Sequence, residues 1–127
     1  MDKKKTAQKT RETADLYFST VKDEDRPYPL WAHFDPDLAK EMSLYITGKV
    51  YARQKIDHPT RQLVTVAALT ALSKPEELKL HVHAALNVGC PKEDIAEVMF
   101  QTSIYAGVPA TNTALKVLKA VLEEREE

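Results

Sequence analysis

A glutamate and a histidine one helical turn apart are the residues of this chain best suited to acid–base chemistry. Glu77 and His81 fall in the run EELKLHVHAAL, which follows a serine and a proline. At about 100° per residue their side chains project within roughly 40° of each other, on the same side as Val88. Burying a carboxylate and an imidazole on a packing face is costly unless the two groups satisfy each other or a ligand. We therefore predict that Glu77 and His81 touch and belong to a site.

The helix that carries this pair has recognisable end signals. Ser73 and Glu76 have the spacing of a capping box, and Gly89 is suited to the left-handed conformation that closes a helix. The same projection places His83 on the opposite, solvent-facing side. Because His81 and His83 then point about 200° apart, they cannot bind one metal ion together. The sequence has no second group of cysteines and histidines, so we expect no metal site and no cofactor.

A third candidate residue, Arg61, precedes the most apolar segment of the chain. His58 and Pro59 begin a predicted helix in which only two threonines interrupt the apolar residues from Leu63 to Leu72. A short helix that is apolar on all faces is predicted to be central and buried. A guanidinium in its first turn is suited to holding an anion, or to binding solvent or a neighbouring carboxylate. The sequence leaves both roles open.

Other helices must position these residues. Further helices are predicted at residues 3–21, from Asp35–Pro36 past Tyr45, at 91–107 and at 109–124. Residues 22–36 contain three prolines, so we expect a connector without regular helix. That connector also contains Trp31 and Phe34, so it should lie against an apolar surface. The sequence assigns no role to His33 or Tyr105.

Length and composition indicate one all-α domain. The chain has 127 residues with only 3 glycines and few strand-like alternations. We interpret 1–127 as a single domain, with an N-terminal helix and apolar connector over 1–36 and core helices over 37–125. The net charge of −1 gives no excess of positive charge for binding nucleic acid. No apolar run reaches the about 18 residues that a membrane-spanning helix needs. With no secretion signal recognised, we expect a cytoplasmic protein. The single cysteine, Cys90, excludes an intrachain disulfide and a CxxC pair.

Four runs of the chain resemble the carboxymuconolactone decarboxylase family. They are TRQLVTVA from Thr60, ELKLHV from Glu77, AALNVG from Ala84 and QTSIYAGVPA from Gln101. The resemblance covers roughly residues 38–122. It implies an all-α fold of about six helices like that of the alkylhydroperoxidase D-type proteins. It also implies a ring-shaped homohexamer with sites near the subunit contacts.

The redox branch of this family uses a CxxC motif followed four residues later by a histidine. Aligning that histidine with His81 puts the two cysteines at Lys74 and Glu77, and a glutamate of the redox relay at Gln62. Because disulfide exchange requires a pair of thiols, the decarboxylase branch resembles this chain better. One departure is His83, where many relatives carry an arginine.

The resemblance implies cofactor-free decarboxylation of a carboxylated γ-lactone such as 4-carboxymuconolactone to an enol-lactone, chemistry of aromatic compound breakdown. In that reaction Arg61 would hold a substrate carboxylate and His81 would deliver a proton to carbon. Glu77 would orient the imidazole and favour its protonated form. Two alternatives stay open: a peroxidase-like oxidoreductase of the same fold, which the absent cysteines disfavour, and a non-catalytic oligomeric or ligand-binding protein.

Overall fold

The computed structural model describes residues 2–126, and within that range the regular structure is entirely helical. Its α-helices are α1 (Lys3–Phe18), α2 (Pro27–Phe34), α3 (Pro36–Ser43), α4 (His58–Ala71), α5 (Pro75–Asn87), α6 (Lys92–Ala106) and α7 (Val108–Glu126). A 3₁₀ turn at Asp23–Asp25 precedes α2, and α3 continues as a π-helix over Leu44–Tyr51. The all-α prediction is confirmed, with seven α-helices in the described range rather than about six. No helix in residues 2–126 is both long and apolar enough to span a bilayer.

Several predicted helix ends are found where the sequence placed them. Asp57 caps α4 by accepting a hydrogen bond from the Thr60 backbone N–H at 2.8 Å. Gly89 and Gly107 have φ values of 97° and 93° and follow α5 and α6. Such positive φ values are readily adopted only by glycine. These residues therefore divide the second half of the chain as predicted.

The predicted capping box at the start of α5 is wrong. The residue before α5 is Lys74, with Pro75 in the first turn, and no side chain caps the helix. Ser73 has φ 53° and its N–H bonds to the Thr70 carbonyl at 3.1 Å. The N–H of Lys74 bonds back to the Leu69 carbonyl at 3.1 Å. Ser73 thus closes α4 rather than opening α5, because its backbone adopts the left-handed conformation of a helix C-terminus.

The expectation that residues 22–36 lack a regular helix is also wrong. Pro27 and Pro29 both fall in the first turn of α2, where the missing N–H groups have no intrahelical partner to lose. No residue of α2 is buried, and Leu30 and Phe34 are exposed. The helix packs on α3 and leaves much of its apolar surface uncovered within this chain.

The central helix is α5, not α4 as predicted. α5 packs against α1, α4 and α7, and every residue from Leu80 to Ala85 is buried. On α4 the fully buried residues are Gln62, Val66 and Thr70; Leu63 and Leu69 are partly buried against the core, and Val64 is exposed. An uninterrupted apolar segment therefore does not identify the centre of this chain.

Helix α1 is held firmly over α5 and the π-helix. At Gly48 of the π-helix, an added Cβ would collide with the Thr10 hydroxyl of α1 and lie 3.1 Å from the Thr6 carbonyl oxygen. Near the other end of α1, the Asn87 side chain donates to the Tyr17 carbonyl at 2.8 Å. These contacts bring the C-terminal turn of α1 against α5.

Candidate active site

His81 is buried in the middle of α5, as predicted. Its Nδ1–H donates to the Gln62 Oε1 at 2.9 Å, which leaves Nε2 with a lone pair. Burial lowers the pKa of His81 from 6.5 to about 4. The imidazole is therefore neutral at pH 7, and the predicted preference for the protonated form is wrong for the free chain. A buried imidazole that makes no ion pair favours the neutral form because desolvation penalises charge.

The predicted contact between Glu77 and His81 is not found among the described residues. Glu77 is exposed in the first turn of α5, and the hydrogen bond of His81 goes to Gln62 instead. Residues 71–77 are all exposed, and burial of α5 begins only at Leu78. The helical projection placed Glu77 on the right side of the helix, but the neighbouring elements do not cover its first turn.

The prediction that His83 faces solvent is wrong. His83 is 2 % exposed, and its Nδ1 accepts a hydrogen bond from the Arg125 Nη1 at 3.1 Å. The Glu124 carboxylate lies 3.8 Å from its Nε2. The end of α7 covers this face of α5, and burial lowers the pKa of His83. Both histidines of α5 are therefore buried, on different sides of the helix.

Two buried donors on neighbouring residues of α4 lack an acceptor in the described part of the chain. They are the Nε2 of Gln62, a residue with no exposed surface, and the Nε of Arg61. The Arg61 Nη2 donates to the Arg53 carbonyl at 3.0 Å, which holds the guanidinium in place. A buried donor without an acceptor costs about 1–3 kcal/mol. The site is therefore suited to an oxygen-rich, negatively charged ligand.

Two tyrosines and a second histidine surround these donors. The Tyr17 hydroxyl lies 2.5 Å from the His58 Nδ1 and donates to the Tyr51 carbonyl at 3.4 Å. The Tyr51 ring lies edge-on to His81 with centroids 5.6 Å apart. Burial raises the pKa of Tyr17 and of Tyr51, and the nearby Arg61 charge partly opposes the rise. Both phenols are therefore neutral at pH 7.

We call this group the His81 cluster; its members are Tyr17, Tyr51, His58, Arg61, Gln62 and His81. The sequence identified Arg61 and His81 but missed the roles of the others. Tyr17 and His58 are 41 positions apart in sequence, so no local spacing reveals their hydrogen bond. The only sequence signal for Gln62 was its alignment with the redox glutamate. The cluster supplies neutral donors, a cation and an imidazole lone pair in one buried region.

The comparison with known proteins agrees with this chemistry. The sequence pattern of the Carboxymuconolactone decarboxylase family matches residues 36–120. A 4-carboxymuconolactone decarboxylase from Acinetobacter baylyi is 35% identical over 91 residues, which is 72% of this chain and 68% of that protein. The chain belongs to the carboxymuconolactone decarboxylase family. The predicted resemblance is thereby confirmed.

Two further relatives are similar in sequence to this chain. An uncharacterized 15.0 kDa protein of Paracoccus denitrificans is 36% identical over 110 residues, covering 78% of this chain and 81% of that protein. A nitrosuccinic acid decarboxylase of Metarhizium robertsii is 27% identical over 77 residues, covering 61% of this chain and 54% of that protein. Two of the three relatives are thus named as decarboxylases, which supports a decarboxylase-type function for this member of the carboxymuconolactone decarboxylase family.

Proposed function

We propose that this protein is a cofactor-free carboxy-lyase that acts on a carboxylated γ-lactone such as 4-carboxymuconolactone and yields an enol-lactone. The observation that carries the proposal is the pair of unpartnered buried donors on α4, one on Arg61 and one on Gln62, whose amide oxygen accepts from His81. Decarboxylation needs donors for a substrate carboxylate and for the oxygen on which negative charge develops. The similarity to a 4-carboxymuconolactone decarboxylase supports the substrate class.

The donors of the cluster match the charge that the reaction creates. As the C–C bond to the departing carboxylate breaks, its electron pair moves through the ring onto the lactone carbonyl oxygen. Arg61 is suited to holding a substrate carboxylate, since a guanidinium presents several N–H donors in fixed geometry. The Gln62 amide donor is suited to the developing enolate oxygen. Buried donors aimed at such an oxygen contribute several kcal/mol because little water competes with them.

His81 is suited to returning a proton to the ring carbon. A substrate carboxylate placed beside it raises the pKa of the imidazole, because an opposite charge stabilises imidazolium. The Nε2 lone pair then takes up a proton as the substrate binds. After carbon dioxide leaves, the Nε2–H proton passes to the ring carbon and His81 is neutral again. One proton is consumed for each carboxylate lost, so the reaction balances.

The test measures carbon dioxide release from 4-carboxymuconolactone by wild type and by His81→Ala. We expect the variant to lose about 10²-fold or more in turnover, the lower range of a positioned acid, with its melting temperature and oligomeric mass unchanged. Near-normal decarboxylation by His81→Ala would remove His81 from the mechanism. Glu77→Gln is the matched comparison, because Glu77 was a predicted catalytic residue and is exposed one turn from His81. If Glu77 acts only at the rim of the site, Glu77→Gln should lose much less turnover than His81→Ala.

The same samples test the two alternative functions. A peroxidase-like oxidoreductase would consume peroxide with a thiol, and Cys90→Ser would abolish that activity. Cys90 is 4 % exposed, its Sγ donates to the Pro59 carbonyl at 3.4 Å, and burial raises the pKa of the thiol. Since the thiolate is the reactive form, we expect Cys90→Ser to retain full decarboxylation. A non-catalytic ligand-binding protein would bind the lactone and release no carbon dioxide.

A further inference from the structure

A groove beside α1 meets the His81 cluster at a single aromatic ring. The groove has a volume of about 640 Å³ and lies between α1, α2 and the junction of α3 with the π-helix. Ala14 and Leu44 form part of its apolar wall, and Phe18 lines it as well. The Phe18 ring lies edge-on to the His81 ring, with centroids 5.9 Å apart and an interplanar angle of 82°. Phe18 thus separates the groove from the buried imidazole.

The charged side chains of the groove are mainly cationic. Arg11, Arg26 and Lys40 line it together with one carboxylate, that of Asp23. Arg11 and Lys40 are exposed, and neither forms a salt bridge within the described residues. An apolar cavity with a few convergent charges is typical of small-molecule sites, whose volumes run from about 300 to 1,000 Å³. The charges favour a carboxylated ligand.

Arg26 connects the groove to the backbone of Phe18. Its Nε donates to the Val21 carbonyl at 3.2 Å, and its Nη2 donates to the Phe18 carbonyl. A guanidinium has five N–H donors, so Arg26 retains donors for a ligand after these two bonds. The bonds also hold the backbone at the end of α1, where Phe18 lies.

We propose that this groove is the substrate-holding site for the His81 cluster, and that Phe18 is the gate between them. The ligand is a small carboxylic acid with an apolar ring, held by the groove cations while the Phe18 ring swings aside. The inference rests on the proposed function for the identity of the reacting group. It extends that function to α1 and α2, which lie before the residues that match the family pattern.

Binding without turnover tests the groove separately from the reaction. The probe is a saturated γ-butyrolactone carboxylate, which lacks the ring double bond that delocalises the electron pair and so does not decarboxylate. Ala14→Phe fills the groove, and Ala120→Phe places the same side chain on an exposed position of α7. By calorimetric titration we expect Ala14→Phe to weaken probe binding about tenfold or more, with Ala120→Phe equal to wild type.

The outcomes of this titration are distinguishable from failure of the proposed function. If wild type binds the probe and Ala14→Phe does not, the groove stands as the binding site even where no carbon dioxide is released. If wild type and Ala14→Phe bind equally, or if wild type does not bind the probe at all, the groove inference is overturned. In both of the results that overturn the groove inference, wild type can still decarboxylate 4-carboxymuconolactone, so the proposed function is tested separately.

Chemical modification tests the gate itself. Diethyl pyrocarbonate acylates neutral imidazoles that it can reach, and mass spectrometry reports each histidine separately. We expect Phe18→Ala to speed modification of His81 about tenfold relative to the exposed His33, since truncation removes the ring that covers His81. His83, buried under the end of α7, should stay protected. An unchanged rate at His81 would overturn the gate, and Phe18→Leu repeats the measurement if Phe18→Ala does not fold.

Faster modification of both buried histidines in Phe18→Ala would also contradict the gate. That result would mean that the variant loosens more of the fold than one passage, because the Phe18 ring faces His81 whereas His83 contacts Thr20 and the end of α7. The comparison of His81 with His83 therefore separates a local opening from a general loss of structure.

Discussion

His81 illustrates how burial sets the working state of a histidine. Among the described residues its ring bonds to the neutral Gln62 amide alone, and burial lowers its pKa to about 4. A proton donor at neutral pH must then be protonated together with substrate binding. In the proposed mechanism, the negative charge of the bound substrate raises the pKa of His81 and so allows its protonation.

The pH dependence of the kinetics follows from this coupling. Because kcat/KM reports the ionisation of the free enzyme, it should fall about tenfold for each pH unit above the His81 pKa, and so across pH 6–9. kcat should stay level over more of that range, since bound substrate raises the pKa of His81. Steady-state assays on 4-carboxymuconolactone check both profiles. A level kcat/KM across pH 6–9 would contradict His81 as the proton donor.

The same buried histidine should weaken the fold in acid. A pKa lowered from 6.5 to about 4 means that the unfolded chain binds the proton more readily. Stability is therefore complete above pH 6.5 and is lost as the pH falls toward 4. At about 1.36 kcal/mol per pH unit, the gap corresponds to about 3 kcal/mol. Urea unfolding of wild type and His81→Gln at several pH values measures the difference.

His33→Gln is the control for this measurement, because His33 is exposed. Its stability should follow the wild-type curve between pH 4 and 7. The His81→Gln curve should be flatter than both, and a slope equal to that of wild type would show that His81 does not contribute. The lowered pKa of His83 leaves part of the acid sensitivity in every variant.

At the scale of the elements, the site depends on how closely α1 approaches the π-helix. Gly48 lets the backbones of the π-helix and α1 come together at Thr6 and Thr10, on the helix that also carries Tyr17 and Phe18. We expect Gly48→Ala to destabilise the fold by about 1–3 kcal/mol, the usual cost of overpacking, although alanine is otherwise the better helix former. Activity should fall with stability, since the end of α1 would shift.

A double-mutant cycle identifies the cause of this loss. The added methyl group of Gly48→Ala would meet the Thr10 hydroxyl first and the Thr6 carbonyl next. Removing the hydroxyl with Thr10→Ala should therefore return part of the lost stability in the double variant. Thermal unfolding of the four proteins supplies the coupling energy. Additive effects would mean that the two positions do not clash.

At the scale of the whole molecule, the chain leaves large apolar side chains uncovered. Phe34 is 80 % exposed, Ile104 76 % and Tyr105 79 %. Large exposed apolar patches commonly mark interaction surfaces. We therefore propose self-association, with a hexamer as the expected form. Light scattering coupled to size exclusion measures the mass, and a monomer at micromolar concentration would contradict the proposal.

A charge placed on the exposed surface should reduce that association. Ile104→Asp puts a carboxylate among apolar side chains. We therefore expect its oligomer to dissociate at a higher protein concentration than the wild-type oligomer. Lys116→Asp, at an exposed polar position of α7, is the matched control. Equal masses for the two variants at every concentration would exclude Ile104 from the contact.

Local chemistry in the sequence determined much of this protein. Few glycines and helical spacing of apolar residues predicted the all-α class, and Gly89 and Gly107 end their helices because their backbones need positive φ. The burial of His81 followed from its neighbours at helical spacing. The four sequence runs that resemble the carboxymuconolactone decarboxylase family also indicated decarboxylation as the class of chemistry. Each of these depends on residues within a few helical turns of one another.

Tertiary packing decided what local spacing could not. Which faces of a helix are covered depends on distant elements: α7 buries His83, none of the described residues covers Glu77, and one face of α4 stays exposed at Val64. The partners of His81 come from α1, from the π-helix and from α4, all of which lie outside α5 in sequence. A helical projection gives the direction of a side chain but not what lies in that direction. The pKa of His81 and the composition of its cluster were therefore settled only when α1, α4 and α5 packed together, because desolvation and hydrogen bonding act between elements.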